Sequence, residues 1–504
     1  MLPDAVTTDP GGLALDDLTR TRSWAELGDR AIRAGRMFRD TYGIGPGGHV
    51  AMIMGNRVEF IELTLGALIS GVWITPINWH LTADEAAYIV ADSESVLVIT
   101  DPTHEAVARL AAGDRPVLIA GPELDAALAA ARHEPFDSHD VAGGSMLYTS
   151  GTTGRPKGVK RATQSTIAAQ VRLSRATGPI IGLDGGGPHL VTGPLYHAAP
   201  LGYAMIDMHN GAPLVIMPGW DEQAALDLIE QRRVRNTHLV PTMFVRLLRL
   251  PDERRAAFDA SSLATVLHGA APVSVPVKTR MIDWWGPVLL EYWGASEGGV
   301  VTIVGSTDWL AHPGTVGQAV PSYEVFAADP AGTPLDADEV GTLWCRNLLS
   351  ASIFEYHNAP DKTAAAFLEP GTYTIGDIGR VDADGWVYLA DRAANMIISG
   401  GVNIYPAEIE QVLIEHPAVA DVGVFGIPDD EWGESVKAAV ELADGFVASS
   451  ELESEILAFG RLHLAGFKVP RSIDFEDELP RYPTGKLYTR VLRDRYWKDV
   501  ERSI

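Results

Sequence analysis

The run Tyr148-Thr149-Ser150-Gly151-Thr152-Thr153-Gly154-Arg155-Pro156-Lys157-Gly158 constrains this chain more than any other stretch. A row of hydroxyls is broken only by Gly151 and is followed by Arg155 and Lys157. A packed core has no use for that mixture. Glycine lets the backbone take positive φ and come close to a ligand. Successive backbone N–H groups in such a loop form an anion-binding concavity. The hydroxyls donate to phosphate oxygens and the two cations add charge, which suits a polyphosphate. The commoner phosphate loop requires G-x-x-x-x-G-K-[ST], with a hydroxyl after the lysine for magnesium. Here Lys157 is followed by Gly158, which excludes a GTPase or ABC-type ATPase reading. A plain Ser/Thr/Gly surface loop is the structural alternative. Lys157 and the lead-in Ser145-Met146-Leu147-Tyr148 weigh against it.

On both sides of the loop short apolar runs alternate with helical patterns. Ser23 to Arg39 reads as an amphipathic helix, Val50 to Met54 as a strand, Val58 to Ile69 as a helix and Val72 to Thr75 as a strand. Thr82-Ala83-Asp84-Glu85 is a capping box. Further strands are expected at Val96 to Thr100, Pro116 to Ala120, Leu190 to Thr192, Leu214 to Met217 and Asn236 to Val240. Asp221 is expected to cap a helix running to Arg232. This alternation predicts mostly parallel sheets with helices on their faces. From about Gly314 to Arg380, short apolar segments separated by Gly, Pro and Asp predict antiparallel strands and a small barrel. Past Asp391 to Ala394 the pattern becomes α+β. A helix is expected from Pro406, with strands at Val419 to Phe425 and Ser435 to Leu442. A last helix is expected to open at Ser450-x-x-Glu453.

At 504 residues the chain calls for two or more domains. A net charge of −26 argues against nucleic acid and against an anionic membrane surface. The lone Cys345 excludes an internal disulfide framework and fits a reducing cytoplasm, and it reads as a buried apolar residue beside Trp344. The first residues lack the apolar core of a signal peptide. The longest apolar run, near Leu65 to Ile77, is too interrupted and short to span a bilayer.

Other segments carry chemistry. In order they are Pro194 to His197, His268 to Pro272, Glu291 to Glu297, Tyr373 to Asp377, Asp391 to Glu410, Gly466 to Arg471 and Arg481 to Lys486. Singly, several have plain alternatives: a strand-to-loop turn, a core aromatic pair, a Gly-Asp turn, a solvated lysine. Together with the first loop, and in this order, they resemble the adenylate-forming superfamily. That superfamily includes acyl-CoA synthetases, peptide-synthetase adenylation domains and beetle luciferases.

The resemblance implies a two-step reaction. A carboxylate and ATP give an acyl-adenylate and pyrophosphate, and a thiol then displaces AMP. Bringing two anions together needs cations and a metal. By resemblance Thr149, Ser150, Gly151, Thr152, Thr153, Gly154 and Lys157 hold the phosphates. Gly269, Ala270 and Ala271 border adenine and the acyl pocket, and Glu291, Tyr292 and Trp293 flank the nucleotide, with Trp293 stacked on adenine. Ser296 bonds phosphate and Glu297 holds Mg2+. Asp377 accepts from the ribose hydroxyls and Arg392 meets ribose or phosphate. Ser399, Gly400 and Gly401 pass the pantetheine of CoA, and Lys468 with Arg471 meets CoA phosphates. His197 gates the carboxylate, and Lys486 bridges it to the α-phosphate. Four positions depart from the pattern: Tyr292 stands where many relatives have Gly, Ser296 and Ile375 where they have Thr, and Ala394 at the expected hinge residue.

The implied fold is α/β. A large N-terminal AMP-binding domain of α/β subdomains plus a small β-barrel spans 1–391, and a smaller mobile C-terminal α+β lid domain spans 392–504. The implied enzyme is a cytoplasmic acid–thiol ligase using ATP, Mg2+ and CoA. Wall candidates Tyr203, Met205, Met243, Phe244, Trp293 and Ala295 are mostly apolar, pointing to a medium, branched, cyclic or aromatic carboxylic acid. A homodimer is the expected assembly. Loading of a carrier protein, and nucleotide binding with little turnover, stay open as alternatives. The segment Leu195 to Ala199 carries no Asp to hold an amine, which disfavours an amino acid.

Overall fold

The strand–helix alternation builds two mostly parallel sheets in the computed structural model. It describes residues 3–149, 156–163, 166–392, 395–399, 402–429, 432–481 and 487–497, the side chains of Asp391 and Arg392 excepted. The first sheet runs, in space, Val117–Ile119, Leu97–Thr100, His49–Ile53, Trp73–Pro76 and Gly144–Thr149, all parallel. Lys157–Arg161 and Phe354–Tyr356 then add antiparallel. The second has a parallel centre of Leu13–Asp16, Leu214–Ile216, His189–Val191, Asn236–Leu239, Thr265–His268 and Leu289–Ala295. Gly299–Gly305 returns antiparallel, and Gln318–Ala319 pairs beyond it at the edge. These strands are near-continuous apolar runs because both faces are covered.

Local signals act as read. Ser23 and Thr82 each close a full capping box, with Glu26 and Glu85 reaching back. The helix Val58–Ser70 is buried on nearly every side, so its carboxylates need partners. Glu59 is held by Arg20 and Arg57, and Glu62 by Arg22 and Arg30.

The antiparallel region has the short strands expected. Tyr323–Ala328, Gly341–Asn347, Asp377–Val381 and Val387–Arg392 pair in a sheet with Thr372–Tyr373 and Phe367–Glu369. On its other edge Val387 pairs with Gly317, in the segment that precedes Tyr323–Ala328, accepting from the Val316 N–H and donating to the Gly317 carbonyl at 2.9 Å each. Its core holds Tyr373, Leu343 and Cys345, fully buried as expected for a structural cysteine. Burial also pushes the Cys345 thiol well above its usual range.

Beyond Arg392 the strands Ile397–Ser399, Val402–Ile404, Val419–Asp429, Gly433–Leu442 and Ser472–Glu476 form a separate sheet under the helices Pro406–Leu413 and Ser450–His463. The cap of that last helix is Ser449, one residue earlier than expected. Ser449 is extended and accepts from the Leu452 N–H at 3.1 Å. Glu453 instead accepts from the Ile473 N–H, fastening the helix to the edge strand. Among the described residues no helix is long and apolar enough to cross a membrane.

Candidate active site

Ligands of parallel α/β sheets bind beyond the carboxyl ends of the strands. The chemistry-bearing segments lie there: Thr149 ends one strand, and His197 and Gly269 to Ala271 follow others. They line one cavity of about 2800 Å³.

Thr149 closes its strand directly opposite Lys157, which opens the next. Ser150, Gly151, Thr152, Thr153 and Gly154 lie outside the described residues. Two outer contacts steady the hairpin: Tyr148 donates to Asp92 at 2.6 Å, and Tyr88 donates to the Pro156 carbonyl at 3.3 Å. The Lys157 ammonium sits 4.9 Å from the centre of the Tyr356 ring. Tyr356 in turn donates to Glu297 Oε1 at 3.0 Å. Lys157, Tyr356 and Glu297 thus form one cluster on the cavity wall. Burial and the nearby Lys362 hold the Lys157 ammonium below its usual range, and Glu297 offsets part of that. Ser296 lines the same cavity.

The strand Leu289–Ala295 sends successive side chains to opposite faces. Trp293 packs with the antiparallel-sheet core, and its indole N–H donates to Asp377 Oδ2 at 2.7 Å. Tyr292 goes the other way. Its hydroxyl meets His238 Nε2 at 3.0 Å and its ring stands edge-on to Tyr203 at 5.2 Å. Gly269 lies against Tyr292: a Cβ there would stand 2.8 Å from the ring and 2.6 Å from the Tyr292 carbonyl. Only glycine fits that approach. Ala270 follows at φ 67°, a left-handed conformation uncommon outside glycine.

His197 packs against the Tyr196 ring at 4.5 Å and caps the cavity side of the helix Ala198–His209. Burial, with His80 nearby, lowers its imidazole to about 3, so it is neutral. Its buried Nε2 has no hydrogen-bond partner among the described residues. The sequence reading missed what holds this segment. Asn56 donates to the Gly193 and Met217 carbonyls at 3.0 and 2.9 Å and accepts from the Leu195 N–H at 2.8 Å. One amide thereby sutures the two sheets beside His197. Only the Asn-Arg turn before a helix could have signalled it. Arg161 was also missed. It lines the cavity with no hydrogen bond or ion pair among the described residues, and a Cβ on Gly299 would stand 2.9 Å from its Nη2.

Three expected site residues are engaged elsewhere. Glu291 is 4% exposed and is bonded by Lys278 at 2.5 Å, in a buried pair covered by the Trp309 ring. A carboxylate buried there needs a cation more than a nucleotide. Lys468 is held by both oxygens of Glu408 at 2.6 Å. Phe244, a proposed wall residue, is fully buried beneath His268 and does not line the cavity. Tyr203, Met205 and Met243 do line it. The backbone of Arg392 ends its strand opposite Asp377, and its side chain lies outside the described residues. So do Ala394, Gly400, Gly401 and Lys486, while Ser399 ends a described strand.

From the C-terminal sheet, Arg481 lines the cavity and grips Asp421 through two bonds of 2.5 and 2.6 Å. Arg249 of the large domain donates to the Ala420 carbonyl, so the two parts touch directly.

A family model described as AMP-binding enzyme matches residues 2–352, and one described as AMP-binding enzyme C-terminal domain matches residues 408–486. Feruloyl-CoA synthase of Amycolatopsis sp is 35% identical over 98% of this chain and 97% of its own length. The long-chain-fatty-acid–CoA ligase FadD13 of Mycobacterium tuberculosis is 33% identical over 91% of this chain and 90% of its own. The solved o-succinylbenzoate CoA synthetase MenE of Bacillus subtilis, in complex with its acyl-adenylate intermediate, superposes with a TM-score of 0.82. It is 25% identical and covers 99% of this chain and 98% of its own. The chain belongs to the AMP-binding enzyme family, in its acyl-CoA synthetase branch.

Proposed function

We propose that the chain activates a medium, branched, cyclic or aromatic carboxylic acid with ATP and passes the acyl group to CoA, releasing AMP and pyrophosphate. The observation that carries this is the convergence of Lys157, Tyr356, Glu297, Asp377 and His197 on one cavity. The acid is held beside neutral His197, whose Nε2 has no hydrogen-bond partner among the described residues and is assigned to its carboxylate. Lys157 and the hydroxyls of the loop from Thr149 to Thr153 offset phosphate charge, with Ser296 as a further donor. Asp377 has one oxygen on Trp293 and orients the ribose. Lys486 is assigned the bridge between the attacking carboxylate and the α-phosphate.

Glu297 fits a magnesium ion. Tyr356 fixes one of its oxygens, the other makes no hydrogen bond among the described residues, and carboxylate oxygen is the donor this hard ion prefers. Bound magnesium would neutralise phosphate charge as pyrophosphate departs. The catalytic body is assigned to 1–391 and the lid to 392–504. Ser399 to Gly401 are assigned to the pantetheine path, and the cytoplasm is the proposed setting.

The test is carboxylate-dependent pyrophosphate release across fatty, cyclic, aryl and amino acids, with and without CoA. The proposal expects release for a subset of acids together with an acyl-CoA product. Release with no acyl-CoA would assign the second step to a carrier protein. No release with any acid would overturn the reading.

A further inference from the structure

Tyr292 fills space at a position where Gly would leave the cavity open. Its ring is 7% exposed and is pinned on three sides. His238 Nε2 holds the hydroxyl at 3.0 Å, Tyr203 meets the ring edge-on at 71°, and the Gly269 backbone lies close against it. His238 and Tyr203 are themselves packed, ring to ring, at 5.3 Å. Burial lowers the His238 imidazole to about 3, so the assembly carries no charge. Ile181, Leu183 and Leu267 complete the cluster, with Ile206 and Val300 packed against it. A side chain so braced cannot swing aside for a ligand without breaking its hydrogen bond and leaving a buried imidazole nitrogen unpaired. It presents a flat aromatic surface, which suits a ring in offset or edge-on contact better than a flexible chain.

We propose that Tyr292, braced by His238 and Tyr203, is the wall that sets the length of the acid. Compact ring-bearing or branched acids fit in front of it, and long straight chains are turned away. This rests on the acid-activating reading above and adds which acids that site selects.

The test is kcat/KM over straight-chain acids of increasing length and over benzoic, cinnamic and cyclohexanecarboxylic acids, in the wild type, Tyr292→Gly and Tyr292→Phe. The wild type should favour ring acids over dodecanoic acid by about a hundredfold or more, since each misplaced methylene costs about tenfold. Tyr292→Gly should gain at least about tenfold on dodecanoic acid and lose on the ring acids. Tyr292→Phe keeps the ring but loses the bond to His238, and should gain less on dodecanoic acid than Tyr292→Gly does. Binding of acyl-sulfamoyl-adenosines bearing the same acyl groups, read by calorimetry, tests the wall without turnover. Failure of catalysis is thereby separable from failure of the wall. If Tyr292→Gly does not fold, Tyr203→Leu is the substitute, with the same shift expected in smaller degree. Equal use or binding of dodecanoyl and ring acyl groups by the wild type would overturn the proposal. So would a folded Tyr292→Gly, or Tyr203→Leu in its place, with an unchanged length profile.

Discussion

The indole N–H of Trp293 donates to the carboxylate of Asp377 at 2.7 Å, joining two motifs 84 residues apart. One motif ends the parallel run of its sheet and the other opens a strand of the antiparallel sheet, so the bond locks the two against each other on the cavity wall. Trp293→Phe keeps a ring and deletes the donor. A hydrogen bond to a charged group contributes about 1.5–3 kcal/mol. The expected result is a rise of about tenfold in the KM for ATP with kcat within about threefold, measured by initial rates at varied ATP. An unchanged KM would mean that Asp377 is positioned without Trp293.

Glu291 is paired with the buried Lys278. Removing its charge strands a fully buried ammonium, which costs about 3–5 kcal/mol. Glu291→Gln should therefore lower the urea midpoint sharply. The double variant Lys278→Met with Glu291→Leu should recover much of the loss. A stable Glu291→Gln with a raised KM for ATP would return Glu291 to the ligand set.

What the sequence could show was local. Caps, strand runs and the order of motifs depend on neighbours in the chain, and Thr82 and Asp221 cap as read. Long-range pairing was hidden. Nothing near Glu291 announces Lys278, because the two meet only when a helix packs under its strand. The motif context pointed to the nucleotide, while the fold pairs Glu291 with a buried lysine. Lys468 was drawn away likewise by Glu408, 60 residues distant. Tyr292 was legible as bulk, but its lock on His238 required the sheet order that brings Asn236–Leu239 near Leu289–Ala295.

Acid should unfold the protein early. Burial lowers the imidazoles of His197 and His238 to about 3 and that of His209 to about 4. Unfolded, each titrates near 6.5. Below that pH the unfolded chain takes up protons that the folded chain refuses, so stability falls as pH falls from about 6.5 towards 4. Each histidine should cost on the order of 1 kcal/mol one pH unit below its usual value. Urea midpoints at pH 7.5 and 5.5 should differ accordingly, and His209→Gln should flatten the difference. Equal midpoints would contradict neutral burial of these rings.

The cap at Ser449 separates two neighbouring serines. Ser449→Ala should lose about 1 kcal/mol, as N-cap deletions do. Ser450→Ala, in the first turn, should stay within about 0.5 kcal/mol of the wild type. The reverse order in thermal melts would restore Ser450 as the cap.

The most direct measurement follows the carboxylate oxygen. An acid accepted by the enzyme, labelled with heavy oxygen in its carboxylate, is incubated with ATP and CoA, and the products are resolved by mass spectrometry. Attack of the carboxylate on the α-phosphate predicts one heavy oxygen in AMP and none in pyrophosphate. Heavy oxygen in inorganic phosphate, or unlabelled AMP beside labelled acyl-CoA, would contradict an acyl-adenylate route.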